Sequence, residues 1–155
     1  MSSVRQQSEL AMAKRGRPAT FDRDEVLERA LELFWARGYE GATLEDLLAV
    51  MGNINPPSFY HAFGSKEALV REVVDLYVAK VGCPNIRALE ESQTARAGID
   101  ALLRLTVKSL TRPGKPHGCL LVRGAINTAP ANKGAQECLL AIRQRAPRVI
   151  KARLD

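Results

Sequence analysis

The chain has 155 residues, 46% of them hydrophobic and 26% charged, enough to fill one compact core and ordinary for a soluble protein. No apolar run approaches the roughly 18 residues of a membrane span, and the opening MSSVRQQSELAMAKRGRP holds no secretory-type apolar segment. Cys83, Cys119 and Cys138 are odd in number, widely spaced and free of any CxxC pair, which argues against a disulfide framework or a zinc centre and fits a reducing cytoplasm. The net charge of +6 is unevenly divided: residues 1–20 carry +3, residues 21–77 carry −6 and residues 78–155 carry +9.

Residues 1–20 show no sustained periodicity and read as a flexible basic arm. Its Lys14-Arg15-Gly16-Arg17-Pro18 segment is slim enough for Arg15 and Arg17 to enter a narrow minor groove; the simpler reading is a solvated tail. Asp22, with Glu25 in capping-box position, opens a first helix that runs to about Arg37, buries Val26, Leu27, Ala30, Leu31 and Phe34, and stops at Gly38. Trp35 lies beside that stripe and reads as core edge. Leu44, Leu47, Leu48 and Met51 mark a second helix, capped by Thr43 with Asp46 and ended by Gly52. Asn55 opens a third, with Pro56 at its first position, where a missing N–H costs nothing. Gly64 closes it after two turns, and Ser65 caps a fourth helix to about Lys80 that turns Leu69, Val70, Val73, Val74 and Tyr77 inward. A helix, a short glycine turn and a very short second helix outline a DNA-reading helix-turn-helix.

The remainder reads as helical. Gly82-Cys83-Pro84-Asn85 is expected to break the fourth helix and to mark a domain boundary. A helix follows over Ala95–Thr111, with Ile99, Leu102, Leu103, Thr106 and Leu110 inward. Residues 112–118 form a loop, and Cys119–Asn127 a short apolar helix. After Pro130 a final helix starts near Asn132 or Lys133 and turns Ala135, Cys138, Leu139 and Ile142 inward; Pro147 should bend or end it.

From about Asp22 to Tyr77 the chain resembles the DNA-binding domain of the tetracycline-repressor (TetR/AcrR) family of bacterial transcription regulators. LELFWARGYEGAT is similar to the family's first helix, glycine turn and second-helix cap, and INPPSFYHAFGSKEAL to its recognition helix and the step that follows. One departure stands out: Gly52 and Asn53 occupy a turn where the family usually has a single glycine, which would rotate or displace the recognition helix. The resemblance implies an all-α fold, with a three-helix helix-turn-helix domain and connecting fourth helix over residues 21–80. A helical ligand-binding and dimerisation domain over residues 84–155 would follow, shortened because family members usually add two further helices that pair as a four-helix bundle. It also implies a homodimeric repressor that binds a double-stranded DNA operator and is released by a small-molecule effector, with no cofactor.

By position, Pro57, Ser58 and His61 face base edges: a proline ring against a thymine methyl, Ser58 to a base or phosphate, His61 to a purine acceptor. No arginine on this helix offers a bidentate contact to guanine. The resemblance makes Tyr60 a phosphate contact and Lys66, with the free N–H groups opening the fourth helix, a phosphate clamp. Thr43 is a further phosphate candidate. Phe59 and Phe63 read as core anchors. The acids Asp24, Glu25, Glu28, Glu32, Glu45 and Asp46 lie on the first two helices, which can turn them away from a duplex. Leu103, Val107, Leu121, Ile126 and Leu139 are candidate effector contacts, although the same residues describe an ordinary core.

Two other functional readings stand beside this one. Cys119 or Cys138 could act as a thiol switch, with Lys115 and Arg123 near Cys119 in sequence. The basic last segment could instead serve a truncated, nonspecific nucleic-acid binder or interaction protein. Catalysis finds no support, because the chain lacks Gly-x-Ser-x-Gly, phosphate-loop, dinucleotide and HExxH motifs. Two distant histidines, His61 and His117, give no basis for a metal site.

Overall fold

The computed structural model describes residues 22–126, Ala129 and residues 132–155, apart from the side chains of Ala125 and Ile126. The arm with Arg15 and Arg17 lies outside the described residues.

Local signals set the first four helices. Helix α1 (Arg23–Gly41) starts at Asp22, whose carboxylate accepts the N–H groups of Asp24 and Glu25. Glu25 does not complete the reciprocal cap but pairs with Arg29 one turn on. Gly38 leaves helical geometry at φ +74°, as its position led us to expect, and one further turn carries Tyr39 into the core. Helix α2 (Leu44–Val50) has both halves of the Thr43–Asp46 capping box. Helix α3 (Pro56–Phe63) is capped by the Asn55 side chain, which accepts the Ser58 N–H at 2.8 Å. Helix α4 (Lys66–Tyr77) is capped by Ser65, whose Oγ accepts the Ala68 N–H at 2.9 Å. In the turn before α3, Gly52 at φ +89° and Asn53 at φ +57° are both left-handed, so the extra residue is absorbed as a second left-handed step.

The break expected at Gly82–Asn85 is absent. The chain passes from α4 through a π-helical turn (Val78–Gly82) into helix α5 (Cys83–Glu91), with Gly82 and Cys83 both in right-handed helical geometry. A proline after a regular helical turn would clash with the carbonyl four residues back; the wider π turn provides room, and Pro84 falls in the first turn of α5. Helix α5 was therefore missed in the sequence.

Helix α6 (Ala95–Leu110) follows, capped by Thr94, and crosses α5 at Gly98. A Cβ there would approach the Leu89 carbonyl oxygen to 2.8 Å. The buried Asn85 donates to Thr106 across the same pair, at 3.4 Å. Helices α7 (Leu120–Ile126), α8 (Lys133–Arg143) and α9 (Arg145–Leu154) complete the described elements. Pro147 has no N–H for the Arg143 carbonyl, and the final helical stretch divides at Gln144, one turn before the proline expected to bend or end it. The Arg153 guanidinium donates to the Ser92 carbonyl at the end of α5 and ties α9 down.

One core joins these parts. Phe34, Leu47, Met51, Phe59, Leu69 and Val73 of the first four helices and their connections share it with Leu120 of α7 and Ala135 and Leu139 of α8. Trp35 links the first helices to the second part of the chain: its Nε1–H donates to the Gly118 carbonyl at 2.8 Å, and Tyr77 meets its ring edge-on at 5.0 Å.

Candidate nucleic-acid interface and body cavity

Helix α3 is too short to hold itself in place, so its aromatic side anchors it. Phe59 and Phe63 are buried, 5.7 Å apart between ring centroids. The Arg23 guanidinium lies 4.9 Å over the Phe63 ring and forms two hydrogen bonds, of 2.8 and 2.9 Å, to the Glu72 carboxylate. Those contacts lock the start of α1 to α3 and α4. The opposite side of α3 faces outward: Pro57 and His61 are exposed, Ser58 is half-buried, and Tyr60 is 50% exposed with its ring edge-on to Phe59 at 5.3 Å. The structure thus brings Pro57, Ser58, Tyr60 and His61 together on one short helix.

Lys66 stands at the first position of α4 with its Nζ 4.4 Å over the Tyr39 ring. Burial pushes its pKa down, and nearby Glu40 opposes that shift. The Tyr39 phenol is pushed up by burial first, then by Glu67 and Glu40. Sequence reading missed this cation–ring stack, because it joins a residue on α1 to one on α4.

Thr43 is exposed but committed. Its hydroxyl donates to Asp46 at 2.8 Å and accepts the Asp46 N–H at 3.1 Å. Arg37 pairs with the same carboxylate at 2.8 Å. The Thr43 hydroxyl bond and then Arg37 hold Asp46 below the usual carboxylate range.

Three acids of α1, Glu28, Glu32 and Glu40, reach groups in the second part of the chain. Glu28 pairs with Lys80, and Glu32 with Lys115. Glu40 accepts the Ala129 N–H at 2.8 Å and a hydrogen bond from the Asn132 side chain at 2.7 Å, which together hold its pKa low. Part of the negative charge of residues 21–77 is therefore met by groups of the second part.

The candidate effector residues do not form one site. Leu103 and Val107 are 58% and 61% exposed on α6, which corrects the expectation that Leu103 faces inward; Leu102, also expected inward, is buried. Leu139 is core, packed on Gly124. The Ile126 side chain lies outside the described residues. Leu121 borders a cavity. That cavity, of about 350 Å³, lies among the π turn, α5, α7 and the α8–α9 junction. Val78, Ile86, Leu121, Val122 and Ile142 give it apolar walls, and Arg87, Glu90, Arg143 and Arg145 give it polar ones. Two of these walls come from α5 and α9, elements that the sequence did not disclose.

Cys83 and Cys119 also border this cavity. The cations offered to activate Cys119 are engaged elsewhere: Lys115 with Glu32, and Arg123 with the carbonyls of Ala36 and His117 at 3.3 Å each. The Tyr77 hydroxyl donates to the Cys119 sulfur at 3.5 Å. Burial pushes the Cys138 thiol up, towards its less reactive protonated form. Among the described residues, no group of three or more His, Cys, Asp or Glu could hold a metal ion, and no helix is long and apolar enough to cross a membrane.

A two-turn helix anchored by its aromatic side, behind a glycine turn and before a capped helix opening on lysine, defines a helix-turn-helix protein. Residues 26–73 match the family described as "Bacterial regulatory proteins, tetR family". A solved structure of the TetR family transcriptional regulator CifR, a cysteine mutant complexed with 26-bp double-strand operator DNA, superposes with a TM-score of 0.84 at 42% identity, covering 89% of this chain and 72% of that one. The chain belongs to the TetR family. It is also 32% identical over 117 residues to the HTH-type transcriptional repressor ComR of Escherichia coli (strain K12), covering 75% of this chain and 55% of ComR. To the transcriptional repressor BdcR of the same organism it is 28% identical over 109 residues, covering 70% and 55%. The chain thus spans a little over half the length of these curated relatives.

Proposed function

We propose that this chain is a sequence-specific DNA-binding transcription regulator, a repressor that acts as a homodimer in the cytoplasm and leaves its operator when a small molecule occupies the body cavity. The observation that carries this reading is the outward side of α3, followed at once by a capped helix that opens on Lys66. A helix of this size fits the major groove, where Ser58 and His61 supply hydrogen bonds and Pro57 an apolar edge. Tyr60 and Lys66 then reach phosphates on either side, and Arg15 and Arg17 of the arm extend the contact into the minor groove. Thr43 serves a phosphate only if its hydroxyl leaves Asp46. CifR's complex with operator DNA supports the same use of the head.

The effector reading follows from continuity. Lys66 opens α4, and the π turn that prolongs α4 lines the cavity with Val78 and Gly82, roughly 18–24 Å further along the helix. A ligand that fits the cavity only when this rod is tilted would draw the protein away from its DNA-binding arrangement, and DNA would weaken ligand binding by the same factor.

The test is a nuclease footprint on DNA upstream of the chain's own gene, with excess competitor, beside selection from random duplexes. Two protected half-sites related by a dyad, and the same motif enriched by selection, are the expected result. Failure to enrich any motif would overturn the reading in favour of an electrostatic binder.

A further inference from the structure

We propose that the body cavity takes an amphipathic anion, an apolar molecule of about a dozen heavy atoms that ends in a carboxylate. This inference rests on the cavity being the effector site. The volume, about 350 Å³, falls at the small end of ligand pockets, and the walls given above are largely apolar. Its charged lining is one-sided: Arg87, Arg143 and Arg145 stand against Glu90 alone.

The break between α8 and α9 builds this asymmetry. On an unbroken helix, residues two apart point to nearly opposite sides. On either side of Gln144, where the two helices meet, Arg143 at the end of α8 and Arg145 at the start of α9 both border the cavity. Neither is paired with a carboxylate among the described residues, and Arg87 reaches Glu91 only at 3.9 Å. A neutral ligand would gain nothing from these exposed guanidiniums, and a cation would be repelled. A carboxylate instead presents two acceptor oxygens in the geometry a guanidinium fits.

The experiment is calorimetric titration of the full chain with decanoate, 1-decanol and decyltrimethylammonium, each below its aggregation concentration. Two partly exposed ion pairs should make decanoate bind roughly tenfold tighter than decanol, with the cation weakest. The R143Q/R145Q variant, whose changes are at the surface, should bring decanoate down to decanol and leave decanol unaltered. Equal binding of decanoate and decanol by the unmodified chain, or an anion preference surviving in R143Q/R145Q, would overturn the proposal. Leu121→Trp, with Ile86→Trp on the opposite wall as a second filling variant, separates the two levels of inference. Loss of all binding in the filled variants without any anion preference in the parent overturns the anion alone. Binding that persists in both filled variants, or that is absent throughout, overturns the cavity as the effector site and the anion with it.

Discussion

Lys66 is asked to be a cation in a partly buried place, and Tyr39 and Glu40 make that tolerable by stacking and by charge. If it grips a phosphate, Lys66→Ala should weaken DNA binding about tenfold and lower the salt dependence by about one counterion, while Lys66→Arg keeps most of both. Anisotropy titrations at several salt concentrations decide this, and an unchanged salt slope would remove Lys66 from the interface. Glu40 gives a pH prediction. Its carboxylate is held below the ordinary range chiefly by the Ala129 N–H and then by Asn132. The stabilisation is therefore complete above the ordinary glutamate value, about 4.3, and is lost as pH falls through the lower folded value. The Ala129 amide resonance should titrate with a midpoint below about 4.3; a midpoint at or above it would show that the bond does not hold the charged form. Lys66 was legible from its place after Ser65. Glu40 was not, since one more acid on an acidic helix looks solvated and its partners lie 89 and 92 residues further on.

Helix ends proved the most readable elements, because a cap is chemistry within four residues: Asp22, Thr43, Asn55 and Ser65 all cap as their side chains led us to expect. The passage from α4 to α5 was hidden for the opposite reason. Gly82-Cys83-Pro84 reads locally as a stop, and the π turn that carries the helix through it is not encoded by any single residue. The pattern of α6 also misled. Leu102, Leu103, Leu105, Val107 and Leu110 surround the helix, so periodicity alone could not say that Leu103 and Val107 face outward. Substitutions at two positions test the geometry at this scale by urea denaturation. Asn53→Ala should cost about 1 kcal/mol, the penalty of a Cβ in the left-handed region, whereas Asn53→Gly should be close to neutral. Equal effects of the two would show that the turn does not need its second left-handed step. Gly98→Ala should destabilise by about 1–3 kcal/mol, although alanine ordinarily favours a helix interior, because the new methyl meets the Leu89 carbonyl. A stabilised Gly98→Ala would mean that α5 and α6 separate freely there.

In the whole molecule, the head and the body are held by one core and by ion pairs that spend the acids of α1 on lysines of the second part. The bulk charge of residues 21–77 therefore describes no single surface, because charge summed along the sequence ignores which side of a helix carries it. The central claim is that α3 reads sequence and does not merely adhere to phosphate. The most direct measurement is the affinity for a selected duplex against a scrambled duplex of the same composition at one salt concentration, for the parent chain and for Ser58→Ala/His61→Ala. We expect a preference of at least about a thousandfold, two chains per selected duplex, and a double variant that loses much of the preference while keeping its affinity for the scrambled DNA. Equal affinity of the parent chain for both duplexes would contradict the claim.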